Sequence, residues 1–271
     1  MTAPLLLVGC GKMGSALVAG WLARGAAPEE ISIIDPAPGP AVAAFAAAGA
    51  CVVAEAGSLA PGFAPRAIVL AVKPQTMDAA LPPLAPCLRA NPLVLSIAAG
   101  RTIAMLEARL GPHAGVVRAM PNTPAAIGHG ITVLCAGASA SATQRAEAEE
   151  LMRAVGETAW IEREALLDAV TALSGSGPAY VFLLVEAMAD AGVAAGLDPA
   201  LASRLARATV AGAGAMLDRL PQEPAALRAD VTSPGGTTAA ALALLMAENG
   251  LGALMRRAVA AAARRARELS G

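Results

Sequence analysis

A doubly wound α/β domain followed by an all-helical domain is the architecture that this 271-residue chain predicts. Three observations carry that expectation. A glycine-rich turn, Gly9-Cys10-Gly11-Lys12-Met13-Gly14, joins the apolar run Leu5-Leu6-Leu7-Val8 to a helix-like segment that begins at Ser15. From there to about Trp160, short apolar runs alternate with longer amphipathic stretches, the pattern of parallel strands joined by crossover helices. Beyond Trp160 the β-branched alternation stops and alanine-rich helical segments take over. The expected domains are therefore residues 1–161, binding a dinucleotide, and residues 162–271, all helical.

Taken in order, the strand candidates are Leu5 to Val8, Ile31 to Ile34, Cys51 to Val53, Ala67 to Ala71, Leu93 to Ile97, Val116 to Ala119 and Ile131 to Cys135. Helical segments fall between them near Ser15 to Arg24, Pro40 to Ala48, Gln75 to Leu88, Ile103 to Leu110 and Ala142 to Val155. In the second half Pro178 to Ala195, Pro199 to Leu217, Gly236 to Asn249 and Leu251 to Leu269 read as helices, with a serine cap available in Ser174-Gly175-Ser176-Gly177-Pro178. Several carry apolar residues on more than one face. One small domain cannot hide that much, so a second subunit is expected to cover it.

Composition narrows the function. A formal charge of −1 leaves no basic field for nucleic acid or an anionic membrane. The apolar stretch Ala179 to Leu197 is interrupted by Glu186 and Asp190, so no membrane span is expected, and the N-terminus lacks a basic leader. The expected compartment is the cytoplasm. Cys10, Cys51, Cys87 and Cys135 are scattered, and His113 and His129 are the only histidines, so neither a disulfide framework nor a metal site is expected.

Ligands of a doubly wound sheet sit at the carboxyl ends of its strands, so the strand ends carry the functional reading. In the first turn Gly9 permits the tight bend, Gly11 leaves room for a pyrophosphate, and Gly14 lets the helix pack on the strand. The helix N-terminus then offers free N–H groups to the anion. Strand two ends at Asp35, about 20 residues beyond the last glycine, where the dinucleotide fingerprint places a carboxylate on the ribose 2′-hydroxyl. That carboxylate repels a 2′-phosphate and favours NADH over NADPH. Strand four runs into Ala71-Val72-Lys73-Pro74, strand five into Ser96-Ile97-Ala98-Ala99-Gly100, and a proline-fixed loop, Met120-Pro121-Asn122-Thr123-Pro124, follows strand six. Among 20 lysines and arginines the only lysines are Lys12 and Lys73, both in these turns. A compact ammonium suits such places better than a planar guanidinium.

A second constellation stands in the helical half: Asp230-Val231-Thr232-Ser233-Pro234-Gly235-Gly236-Thr237-Thr238. Backbone N–H groups at such a helix start form a nest for an anion, and a substrate carboxylate suits it. A glycine there costs about 0.5–1 kcal/mol relative to alanine, in a chain that uses alanine freely elsewhere.

Together with Leu173-Ser174-Gly175-Ser176-Gly177-Pro178-Ala179-Tyr180, these blocks closely resemble the pyrroline-5-carboxylate reductase family, essentially from end to end. The resemblance implies a Rossmann-type N-terminal domain, a helical domain that interlocks in a homodimer, and often a ring of five such dimers. It implies hydride transfer from NAD(P)H to the C=N bond of 1-pyrroline-5-carboxylate, giving L-proline. By resemblance, Gly9, Gly11, Lys12, Met13, Gly14, Asp35, Ala71, Val72, Lys73, Pro74, Ala99 and Asn122 are cofactor-side positions. Glu164, Ser233, Gly236, Thr237 and Thr238 are substrate-side positions, with Thr238 meeting the ring nitrogen. An interlocked dimer would bring the two groups together from different chains. The acid in Pro221-Gln222-Glu223-Pro224 and Asp230 depart from the family pattern, and Asp35 replaces a small hydroxyl residue of NADPH-using relatives.

Two other readings compete. A β-hydroxyacid dehydrogenase couples a similar turn to a helical domain but wants a lysine in its second half, and none follows Lys73. A non-catalytic assembly protein has no need of Gly235 to Thr238.

Overall fold

Runs such as Leu5-Leu6-Leu7-Val8 do not alternate because their strands are covered on both faces. The computed structural model describes residues 4–111 and 114–270, and His113 lies outside the described residues. The first compact unit comprises Met1–Gly175 with Ala263–Gly271, and the second Ser176–Ala262.

In the first unit, β1 (Leu5–Val8), β2 (Ile31–Ile34), β3 (Cys51–Val53), β4 (Ala67–Leu70), β5 (Leu93–Ser96), β6 (Gly115–Met120), β7 (Gly130–Ala136) and β8 (Gly156–Trp160) form one sheet in the order β3-β2-β1-β4-β5-β6-β7-β8. The strands from β3 to β6 pair in parallel. Side chains of β1 point alternately to the two faces, Leu5 and Leu7 into one core and Leu6 and Val8 into the other. The first core is closed by Leu17, Val18 and Trp21 of α1 (Lys12–Ala23) and by Ala148, Leu151 and Met152 further along the chain. The second is closed by Met77, Leu84, Leu106 and Leu110. The sheet is thus buried between helical layers, and the order reverses between β1 and β4, which opens a crevice at their carboxyl ends.

Three local expectations need correction. β7 pairs antiparallel with β6, then parallel with β8. The connection over residues 121–129 holds only a short 3₁₀ turn, Thr123–Ile127, and a parallel return needs a longer crossover. β8 was not among the expected strands because its sequence, Gly-Glu-Thr-Ala-Trp, is half-exposed and lacks an apolar run. The expected helix Gln75 to Leu88 is instead a 3₁₀ turn Pro74–Thr76, the short α3 (Met77–Ala80) and a 3₁₀ stretch Pro82–Ala90. Pro82, Pro83 and Pro86 remove the N–H donors that a continuous α-helix would need. Elsewhere α2 (Pro40–Ala47), α4 (Ile103–Leu110) and α5 (Ala142–Arg153) fall where expected. Thr102 caps α4 through the N–H of Met105, and Ser141 with Gln144 forms a capping box on α5.

The chain leaves β8 through a 3₁₀ turn Glu164–Leu166, the short α6 (Leu167–Val170) and a π-helical turn Thr171–Gly175. No serine cap interrupts it: Ser174 donates back to the carbonyl of Val170, and Ser176 makes no capping bond. The second unit contains α7 (Gly177–Ala194), α8 (Pro199–Arg219), α9 (Pro224–Asp230) and α10 (Thr237–Leu245), and α11 (Leu251–Ser270) follows. α7 has no buried residue, and α8 buries only Ala202 and Ala206. Phe182, Leu183, Leu244 and Met246 are each at least 60% exposed. The stretch Glu164–Ala194 is long and apolar enough to cross a membrane by length and composition, even with Glu186 and Asp190 inside it.

Candidate active site

The turn after β1 requires its glycines for three separable reasons. Gly9 adopts φ +85°, and a Cβ there would stand 2.7 Å from Val72 Cγ1. A Cβ on Gly14 would stand 2.7 Å from the Gly9 carbonyl oxygen, so this residue sets how closely α1 approaches the turn. Around Gly11 nothing lies within 4 Å, and a Cβ would project into open space in front of the helix. Gly11 is also the N-cap of α1 and offers no side chain, so the first N–H groups of the helix, from Lys12, Met13 and Gly14, have no acceptor among the described residues. An uncapped helix start behind an open glycine has the form of a phosphate cradle.

Beside it lies a cleft of about 610 Å³, lined by Gly9, Gly11, Asp35, Ala71, Val72 and Lys73 among others. Six positions proposed from sequence are thereby brought together. Asp35 is held in a fixed orientation: its Oδ2 accepts from the Cys10 N–H at 2.8 Å and its Oδ1 from the Ala37 N–H at 2.9 Å. Each oxygen keeps a lone pair for a hydroxyl. The Cys10 thiol is pushed above its ordinary value, chiefly by burial; a bond with Ser15 opposes the rise and the nearby Asp35 charge adds to it.

Lys73 precedes the Pro74 turn, whose carbonyl accepts from Nε and Nη2 of Arg101 at 3.1 and 2.6 Å. Arg101 was not anticipated; a lone arginine after Gly100 gives no sequence signal. It ties the loop after β4 to the loop after β5, where Ala99 is exposed. Asn122 uses its side-chain oxygen to accept from the Ile131 N–H at 3.0 Å, which leaves its NH₂ for a ligand.

Glu164 is more committed than a simple substrate ligand. Its Oε1 accepts from Arg118 Nη1 at 2.6 Å and from the Ile103 N–H at the start of α4 at 2.7 Å. The two side chains are 9% and 28% exposed, Arg118 being the more buried. One carboxylate thus joins β6, α4 and the entry to the helical half. The signal for Arg118 was an arginine inside an otherwise apolar strand. Next to this junction, Met120 packs on Gly175, where a Cβ would come within 2.9 Å of its Cε.

In the second unit, Ser233-Pro234-Gly235-Gly236 closes a turn through the Gly236 N–H and Ser233 carbonyl, at 3.0 Å, with Gly235 at φ +71°. Proline followed by a positive-φ glycine is the signature of a type II turn. Gly235 is therefore there for backbone conformation. The N–H of Gly236, expected to face substrate, is spent on the turn. The N–H groups of Thr237, Thr238 and Ala239 have no acceptor among the described residues, and α10 has no side-chain cap. The nest is shifted one residue along the chain, and it includes Thr238, whose half-buried hydroxyl also has no hydrogen-bond partner among the described residues. Among the described residues no group of three or more His, Cys, Asp or Glu is placed to hold a metal ion.

Comparison with known proteins gives the chain its family. Residues 164–269 match the family described as pyrroline-5-carboxylate reductase dimerisation, and residues 5–100 match NADP oxidoreductase, coenzyme F420-dependent. The pyrroline-5-carboxylate reductase of Pseudomonas aeruginosa is 45% identical over 269 residues, covering 99% of this chain and 97% of its own. The chain belongs to the pyrroline-5-carboxylate reductase family. Within that family, the Coxiella burnetii enzyme structure superposes with a TM-score of 0.92 at 36% identity, covering 100% of both chains. The Plasmodium falciparum structure, described with NADP bound, gives 0.83 at 30% identity, covering 99% of this chain and 98% of its own.

Proposed function

We propose that this protein is a pyrroline-5-carboxylate reductase that reduces the cyclic imine of 1-pyrroline-5-carboxylate to L-proline with NAD(P)H, the last step of proline biosynthesis. The observation that carries the reading is the start of α10, an uncapped anion nest beside a threonine hydroxyl with no partner among the described residues, inside the segment that matches the family's dimerisation region. A nest of this kind suits a carboxylate on a small ring, and the cleft beside Gly11 suits the dinucleotide.

When bound, the reduced nicotinamide supplies a hydride to the imine carbon, and the C=N π pair becomes the nitrogen lone pair that takes a proton. The chain's own work is placement. The Thr237, Thr238 and Ala239 N–H groups hold the carboxylate, and Ser233 shapes the turn before them. The Thr238 hydroxyl bonds the ring nitrogen; it is too weak an acid to drive the step and serves to orient the ring and relay a proton. Correct placement of the reacting carbon accounts for most of the acceleration. On the cofactor side Gly9, Gly11 and Gly14 shape the cradle, Lys12 and Met13 lend their N–H groups, and Asp35 takes the ribose. Ala71 to Pro74, Ala99 and Asn122 border the nicotinamide half. Asp35 favours NADH in this chain, although a relative carries NADP.

Residues 1–161 form the dinucleotide-binding domain in this reading, and residues 162–271 the dimerisation and substrate-binding domain. The exposed apolar helices pack against a second copy rather than lipid, giving a homodimer in the cytoplasm that can assemble further into a ring of five. Steady-state kinetics with pyrroline-5-carboxylate and each cofactor test the reaction; no turnover with either would sink it. Thr238→Ala is expected to lower kcat/KM by about 10²-fold or more, in the range of a lost positioned hydrogen-bonding group, while dinucleotide binding persists. Turnover unchanged in that variant would remove Thr238 from the mechanism.

A further inference from the structure

The wall of the cleft nearest Asp35 carries a second acid. Strands β2 and β3 run parallel with Ile34 beside Val53, and the Asp35 N–H donates to the Val53 carbonyl at 3.0 Å. Both Asp35 and Glu55 line the 610 Å³ cleft. Asp35 is clamped by the Cys10 and Ala37 N–H groups, whereas Glu55 is exposed and opens a 3₁₀ turn, Ala56–Ser58, with no side-chain capping bond. Its carboxylate is therefore not spent on that turn.

The charged residues among those lining the cleft are Asp35, Glu55 and Lys73. Lys73 follows β4, which stands two strands from β2 across β1. At about 4.8 Å per strand that is about 10 Å, close to one Debye length, so an exposed lysine there screens little of the acidic wall. β3 is the immediate neighbour of β2.

We propose that Glu55 is a specificity-determining residue of the dinucleotide cleft, acting with Asp35 to exclude a ribose 2′-phosphate and so to select NADH over NADPH. The inference rests on the reading of this cleft as the cofactor site. The division of labour follows from the geometry. Asp35, oriented by two backbone N–H groups, rewards a 2′-hydroxyl by accepting from it. Glu55 has no fixed orientation and contributes charge, which penalises a phosphate dianion without needing contact. An arginine or lysine on this wall would reverse the preference, and none lines it.

The test is direct titration of the purified full chain with NADH and with NADPH, read by nicotinamide fluorescence, for wild type, Glu55→Gln, Glu55→Asp and Asp35→Ser. Wild type is expected to bind NADH more tightly. Glu55→Gln is expected to lower the ratio of Kd for NADPH to Kd for NADH about fivefold at low salt, the scale of one charge acting on a phosphate across a few ångströms of water. Glu55→Asp, which keeps the charge on a shorter stem, should retain most of the wild-type ratio. The wild-type ratio should fall as salt rises from about 0.02 to 0.5 M, and should fall less in Glu55→Gln. A ratio unchanged by Glu55→Gln while Asp35→Ser shifts it overturns the role of Glu55. Failure of wild type to bind either dinucleotide would instead overturn the cofactor reading itself.

Discussion

Side chains that the nucleotide turn places out of reach of solvent have consequences for reactivity. Cys10 is buried beside the phosphate cradle, and its thiol lies above the ordinary value of 9.0 because burial disfavours the thiolate. Cys51 is exposed. At pH 7.5, alkylation by iodoacetamide is expected to modify Cys51 first and Cys10 far more slowly. Since a raised value keeps Cys10 protonated to higher pH, its labelling rate should still be climbing above pH 9, and bound dinucleotide should slow it further. Peptide mass mapping over a pH series checks both; early labelling of Cys10 at neutral pH contradicts the burial. Much of this site was legible residue by residue, because Gly9, Gly14 and Asp35 do jobs that few other residue types can do. Arg101 and the commitment of Glu164 were not legible, since a hydrogen bond between residues far apart in sequence leaves no local pattern. Nor was it legible that the Gly236 N–H closes the turn on the Ser233 carbonyl, since which of two adjacent glycines takes the positive φ depends on dihedral angles.

Between elements, the Arg118–Glu164 pair does for the chain what a cap does for one helix. Glu164 accepts from the first N–H of α4 while holding the guanidinium on β6, so three segments share one carboxylate. Arg118→Met keeps the volume but leaves Glu164 beside an apolar wall. Loss of one partner of a buried pair costs about 3 kcal/mol, toward the lower end of the usual range because Glu164 is partly exposed. Urea denaturation should show that loss, and Glu164→Gln, which can still accept from the Ile103 N–H, should show a smaller one. Equal stability of Arg118→Met and wild type would assign the pair no structural weight. Most elements could be read in advance because strands covered on both faces spell apolar runs. Those that could not, the half-exposed β8 and the almost wholly exposed α9, are short and carry no clear apolar period.

The whole molecule divides by where its apolar surface goes. The first unit buries two continuous cores, whereas α7, in the second, buries none of its residues. In the proposed reading, helices with this much uncovered surface find stability in a second copy, and dimerisation and folding of the helical half are then one equilibrium. Leu183→Glu places a charge at a 63% exposed position of α7 and is expected to yield monomers by sedimentation, with turnover reduced at least tenfold while the dinucleotide still binds. A fully active monomer would contradict the role given to the helical half. Helices apolar on several faces announce a partner from sequence alone; which residues remain uncovered depends on how α7 and α8 pack. The sheet order has a consequence of a different kind. β1 is made first yet lies inside the sheet, needing β2 on one edge and β4 on the other. During synthesis at about 5–20 residues per second, Ala67 emerges about 3–12 s after Leu5. For that interval the most apolar strand of the nucleotide domain has an open edge, so chaperone access to the nascent chain matters most before β4 emerges.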